Sequence, residues 1–144
     1  MTDALQRAIV SLSITEDELD PDEITTLLAA KPQLGVRKGE TFTSYDGKQI
    51  TARTGMWRFG GDWENAPIIG NQIATLFERL TQDLTIWKSV TSRFHCHVSV
   101  GGYFRDWTGG LTLEPGALML LAERGLAIDF DLYAPIASDV KDMS

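Results

Sequence analysis

Leu19-Asp20-Pro21-Asp22-Glu23-Ile24-Thr25-Thr26-Leu27-Leu28 aligns without gaps on Leu113-Glu114-Pro115-Gly116-Ala117-Leu118-Met119-Leu120-Leu121-Ala122. In both copies an acidic residue precedes proline. An acidic side chain can accept from the free N–H groups of a first helical turn, and proline at the first helical position gives up a donor that has no partner there. Each copy therefore predicts a helix, and each has a strand-like run close by. The repeat fixes two helices and says nothing about chemistry.

Ahead of the first copy, Ala8, Val10, Leu12 and Ile14 alternate with Arg7, Ile9, Ser11 and Ser13, the period of a half-buried strand. The first helix is expected from about Pro21 to Ala30, with Pro32 forbidding continuation. From Leu34 to Phe59 the runs are short and strand-like. Asp46-Gly47 marks a hairpin, because both central turn positions need positive φ, and the second arm is placed near Gln49 to Phe59. Gly60-Gly61 and the polar run to Asn65 read as a loop. Ile69, Ile73, Leu76, Phe77, Leu80, Leu84 and Trp87 then recur at spacings of three and four, predicting one long amphipathic helix. Residues 93–100 alternate, with Phe94, Cys96, Val98 and Val100 on one face and Arg93, His95, His97 and Ser99 on the other. Gly101-Gly102 and Gly109-Gly110 bracket a loop tip that carries Trp107. After the second repeat helix, Gly125 is a stop signal. Leu126, Ile128, Phe130 and Leu132 then alternate with Ala127, Asp129, Asp131 and Tyr133.

Half-polar strands mixed with helices indicate an α+β fold, because a sheet covered on both faces would read as continuous apolar runs. The expected layout is a ferredoxin-like split βαβ with one additional helix, the helices lying on one face of a largely antiparallel sheet. A single domain over residues 1–135 and a polar tail over 136–144 are expected.

Composition narrows the function classes. At 144 residues and 43% hydrophobic, one domain can bury roughly two thirds of its unfolded surface. The single cysteine, Cys96, precludes an internal disulfide and suits a reducing compartment. The N-terminus lacks a secretory pattern and no 18-residue apolar run exists, so a cytoplasmic protein that does not enter the membrane is expected. With 20 acidic against 13 basic side chains the net charge is -7, which disfavours general nucleic-acid binding. The charge is segregated. Residues 1–30 hold seven carboxylates and only Arg7, whereas 31–60 hold six basic residues against Glu40 and Asp46. This marks either an interaction surface or an acidic helix start beside a mixed hairpin.

Leu12 to Ile14 leading into Leu19-Asp20-Pro21-Asp22-Glu23-Ile24-Thr25, then Val36-Arg37-Lys38-Gly39, Gly55-Met56-Trp57, the leucine-rich helix, and Gly110-Leu111-Thr112-Leu113 through Leu126 to Tyr133 resemble the bacterial DUF4279 family. The resemblance spans about residues 8–133. It implies a small α+β bacterial domain and carries no established reaction, so no catalytic assignment is transferred from it. Gly116 departs from the pattern, standing where this type of helix start commonly has an acidic residue.

The sheet face left open by the helices is the candidate surface. It should display Arg7, Ser11 and Ser13, then Arg93, His95 and His97, then Asp129, Asp131 and Tyr133, with Arg53 and Trp57 joining from the hairpin. Such a face could hold a small anion, a peptide or a protein partner, using arginine for bidentate contacts and rings for flat ones. The plainer reading is a solvated face with cross-strand ion pairs such as Arg93 with Asp129. His95 and His97 share a strand face about 6.6 Å apart, and with Asp129 or Asp131 they have the residue types of a metal site. Ser11 or Ser13 with His97 and Asp129 has those of a hydrolase triad, without a nucleophile elbow. Cys96 points to the core as a small buried hydrophobe. Trp63 and Trp107 sit in Gly-rich segments, folded inward or offered to a partner. The expected function is a non-enzymatic protein-interaction module of immunity or adaptor type, with no cofactor and a protein partner or a second copy of the chain on the open face. The alternative is a small metal-binding or hydrolytic enzyme using that face.

Overall fold

The computed structural model describes residues 4–135. The polar tail expected at 136–144 lies outside the described residues. Eleven elements follow one another: β1 Leu5–Glu16, α1 Pro21–Leu28, β2 Leu34–Val36, β3 Thr41–Thr43, β4 Gln49–Thr51, β5 Gly55–Asn65, α2 Ile69–Glu78, α3 Leu84–Arg93, β6 His95–Phe104, α4 Pro115–Glu123 and β7 Ala127–Tyr133. The fold is α+β. Five strands form one sheet in the order β2-β5-β1-β6-β7, and β3 and β4 form a separate two-stranded hairpin. All pairings in the large sheet are antiparallel except that of β6 with β7. β5 and β6 run alike with β1 between them, so β5, α2, α3 and β6 make a split βαβ unit. The last helix, α4, then carries the chain over to β7.

Alternation in β1 decides which face is buried. Ala8, Val10, Leu12 and Ile14 pack with Trp57, Phe59, Val98 and Val100 beneath Ile24 and Leu28 of α1, Ile73 and Phe77 of α2, Trp87 and Val90 of α3 and Leu121 of α4. Each large apolar side chain buried this way contributes about 1.5–3 kcal/mol. No helix among the described residues covers the opposite face.

Both repeat helices form, with different starts. Asp20 caps α1 by accepting from the Asp22 N–H at 3.0 Å, while Glu114 makes no side-chain cap on α4. α1 ends at Leu28, earlier than expected, because Ala29 turns left-handed at φ 59°. Gly125, at φ 73°, closes α4 as anticipated.

The long helix expected over 69–87 is two helices. Asp83 accepts from the Thr85 N–H at 2.9 Å and starts α3 afresh. The Gln82 amide donates to the Phe77 and Leu80 carbonyls, satisfying the end of α2. Apolar spacing persists across the break because both helices face the same sheet, although Leu84 is itself exposed. Another correction concerns residues 60–65. Gly60 and Gly61, with φ of 87° and 97°, form a bulge against β1, and β5 continues through it to Asn65. The arm expected from Gln49 to Phe59 is divided between β4 and β5, and Gly47 occupies the hairpin turn at φ 84°.

The segregated charge is matched inside the chain. Asp20 meets Arg37 at 2.9 Å, Asp17 meets Lys38 at 3.1 Å, and Glu23 meets Arg93 at 2.8 Å. These pairs are solvent-exposed and screened, so they add little to stability. The Lys38 ammonium, with the Thr54 hydroxyl, holds the Asp17 carboxyl below its usual range. The acidic first helix is thus compensated by its own neighbours.

Candidate functional site

Strand parity places the open face. In the β1–β6 register Arg7 lies opposite Tyr103, Ser11 opposite Ser99, Ser13 opposite His97 and Thr15 opposite His95. Further across, Ser99 pairs with Asp129, Gly101 with Asp131 and Tyr103 with Tyr133. His95, His97, Asp129, Asp131 and Tyr133 therefore emerge on one side, as their alternation requires.

Three of the expected residues do not join them. Trp57 pairs with Ile14 and is fully buried on the helix side at 0% exposure, where its indole N–H donates to the Thr25 hydroxyl at 3.1 Å. Arg53 is exposed in the bend between β4 and β5, outside either strand. Arg93 closes α3 instead of opening β6, and its carboxylate is Glu23 rather than Asp129. Arg58, one residue beyond Trp57 and opposite Ser13, is the hairpin arginine that reaches the open face.

The face forms two regions. Towards the start of β1, Arg7, Ile9, Ser11, Arg58, Trp63 and Tyr103 line a groove of about 810 Å³, completed by Tyr45 from the tip of the β3–β4 hairpin and by Asp131. The Arg7 guanidinium lies 4.9 Å from the ring centroids of both Trp63 and Tyr103. Those rings are 6.1 Å apart, and Tyr103 is 5.7 Å from Tyr133, so an aromatic row crosses the sheet from β5 to β7. Small residues make the floor, since Ser11, Ser99 and Gly101 leave the backbone close to the surface. No carboxylate among the described residues pairs with Arg7 or Arg58, whereas Arg37, Arg93 and Arg124 each have one.

At the other end, the His95 and His97 rings are 5.5 Å apart and His97 Nε2 is 3.6 Å from Asp129 Oδ2. Buried His97 Nδ1 has no hydrogen-bond partner, so the Ser13 hydroxyl opposite it does not engage the imidazole. The serine–histidine bond that would activate a nucleophile is not formed. Among the described residues no group of three His, Cys, Asp or Glu side chains is arranged to hold a metal ion, so His95, His97 and Asp129 do not converge as a ligand set. Cys96 faces the helices, its thiol directed to the Val90 and Phe94 carbonyls, and burial pushes it up to about 12.

Trp63, expected in a loop, stands on β5 at 51% exposure, and Trp107 is 66% exposed in the bend after β6. The groove residues the sequence reading passed over are Arg58, Tyr45 and Tyr103. Extending the alternation of β6 by two more pairs would have found Tyr103. Arg58 follows from Trp57 once that ring is assigned to the core, but the bulge at Gly60-Gly61 has no alternation to read.

No helix of the described residues is long and apolar enough to cross a membrane. Residues 6–135 match the family model described as Domain of unknown function (DUF4279), and the chain belongs to that family. No curated protein and no solved structure matches the chain.

Proposed function

We propose that this DUF4279 protein is a non-enzymatic interaction module, of immunity or adaptor type, that receives a protein partner on the uncovered face of its sheet. The observation that carries this reading is the groove in which Arg7 lies over Trp63 and Tyr103. An exposed tryptophan and a half-buried tyrosine beside an arginine without a paired carboxylate have the composition of an interface anchor, since tryptophan, tyrosine and arginine dominate binding hot spots. The acidic first helix is a weaker candidate, because its carboxylates already meet Arg37, Lys38 and Arg93.

A photo-crosslinking amino acid in place of Tyr133, at the rim of the aromatic row, tests this in the native host. One crosslinked protein is expected, lost when Tyr103→Ala removes the central ring and retained when Arg53→Gln alters an exposed arginine outside the groove. No crosslinked protein, or one indifferent to Tyr103→Ala, would refute the reading. The hydrolytic alternative draws on the row Ser13, His97 and Asp129. Ester turnover by the purified protein that disappears in both Ser13→Ala and His97→Ala would replace the interaction reading with it.

A further inference from the structure

We infer that the groove contains a carboxylate-binding subsite, in which Arg7 takes the carboxylate through its N–H edge while the rings of Trp63 and Tyr103 flank a flat group carried beside it. This deepens the interaction reading and rests on the open face being the contact surface. Ring contact occupies a face of the guanidinium and leaves its in-plane N–H donors, the fork that matches a carboxylate in two parallel bonds. Contact with two rings also restrains the side chain, so less freedom is lost when an anion arrives. The chain carries 20 acidic side chains, yet none among the described residues pairs with Arg7 or with Arg58 in the same groove. Two unpaired arginines against the single Asp131 carboxylate give the groove a charge opposite in sign to the protein's average.

The floor and the far wall narrow the ligand. Ser11 and Ser99 face each other across β1 and β6 and offer hydroxyls, and the Ile9 side chain packs over Gly101 beside them. Asp131 on β7, opposite Gly101, adds a negative charge to the same groove. A phosphate dianion would meet more of that repulsion than a carboxylate, so the subsite suits a single negative charge next to an unsaturated group. An aspartate or glutamate beside an aromatic residue, or a free terminal carboxylate, would present this from a protein partner.

Benzoate is the probe, with benzamide as its uncharged counterpart and inorganic phosphate as the competing anion. Titration is followed by the NMR signals of the Trp63 indole N–H and the Arg7 side-chain N–H. Saturable shifts with benzoate are expected at a Kd on the order of millimolar, with none for benzamide. Arg7→Gln should weaken benzoate roughly tenfold or more, the loss of a charge-assisted pair of hydrogen bonds. Arg7→Lys should recover part of it, and Arg53→Gln should change nothing. No saturable shift in the wild-type protein would overturn the proposal, and this result stands even if an Arg7 variant fails to fold. Equal binding of benzamide, or tighter binding of phosphate than of benzoate, would overturn it as well. A protein crosslinked from the host without benzoate binding refutes the carboxylate subsite alone. Benzoate binding without any crosslinked protein refutes the protein-partner reading alone.

Discussion

The Arg124 guanidinium lies 4.7 Å over the Phe77 ring, with the residue only 3% exposed, so a full positive charge is held inside the helical layer. Its two Nη atoms bond to α4 and to the α2–α3 connection, while buried Nε has no hydrogen-bond partner among the described residues. Nη1 donates to the Leu120 carbonyl at 3.2 Å and to Glu123 at 3.0 Å, and Nη2 donates to the Gln82 side-chain carbonyl at 3.2 Å. Arg124 thereby ties α4 to the junction between α2 and α3. Arg124→Ala should cost about 2–4 kcal/mol, through lost packing and orphaned acceptors, while Arg124→Met should cost less because its stem still covers the rings. Urea denaturation followed by tryptophan fluorescence measures both.

The caps of the two repeat helices predict unequal costs for equivalent substitutions. Asp20→Ala and Asp83→Ala each remove a side-chain acceptor from a first helical turn and should lose about 1 kcal/mol. Glu114→Ala removes none and should stay within about 0.5 kcal/mol. Thermal melts of the three variants decide this. A Glu114→Ala loss equal to that of Asp20→Ala would contradict the cap assignment.

Gly60 and Gly39 separate steric contact from backbone strain. Both have positive φ, at 87° and 89°, but a Cβ on Gly60 would come within 2.6 Å of Leu76 Cδ1 and 3.1 Å of the Val10 carbonyl, while one on Gly39 meets nothing within 4 Å. Gly39→Ala should cost about 1 kcal/mol from strain alone. Gly60→Ala should cost more, about 2–4 kcal/mol, because Leu76 must also move. Equilibrium unfolding of the pair gives the difference directly.

Burial of Cys96 raises its thiol from an ordinary value of 9.0 to about 12, so the folded protein keeps a proton that the unfolded chain releases in that window. Stability from this group is fully present below pH 9, falls as pH rises from 9 towards 12, and falls no further beyond it. Cys96→Ala should flatten the alkaline slope. A thiol reagent at pH 8 should label Cys96 slowly in the native protein and rapidly in urea. Equal rates in the two states would show that the thiol is accessible.

Much of the fold could be read from the sequence because β1, β6 and β7 keep strict alternation. That Ser13, His97 and Asp129 share one face follows from period two, while their register and the order of their strands come from the structure. Proline and its preceding acid likewise located α1 and α4 within a residue or two. The failures share a cause, which is that periodicity describes a face and not continuity. Phe77 and Trp87 face the same core from different helices, so the apolar spacing hid the break that Gln82 and Asp83 make. Arg93 was assigned to β6 by parity, but Phe94 is the turning point and the arginine belongs to the helix before it. At the groove, Trp63 reached the open face through a bulge whose two glycines read as a loop, and that single misreading concealed the partner of Arg7 and Tyr103.

β7 runs along one margin of the sheet, and no strand among the described residues pairs with its outer side. Were two molecules to join there in opposite directions about Phe130, Asp129 of each would face Asp131 of the other, and four carboxylates would crowd together. Like charges placed directly opposite on neighbouring strands oppose such pairing. The aspartates on this margin thus oppose the edge-to-edge joining of two molecules, whatever the groove beside them holds.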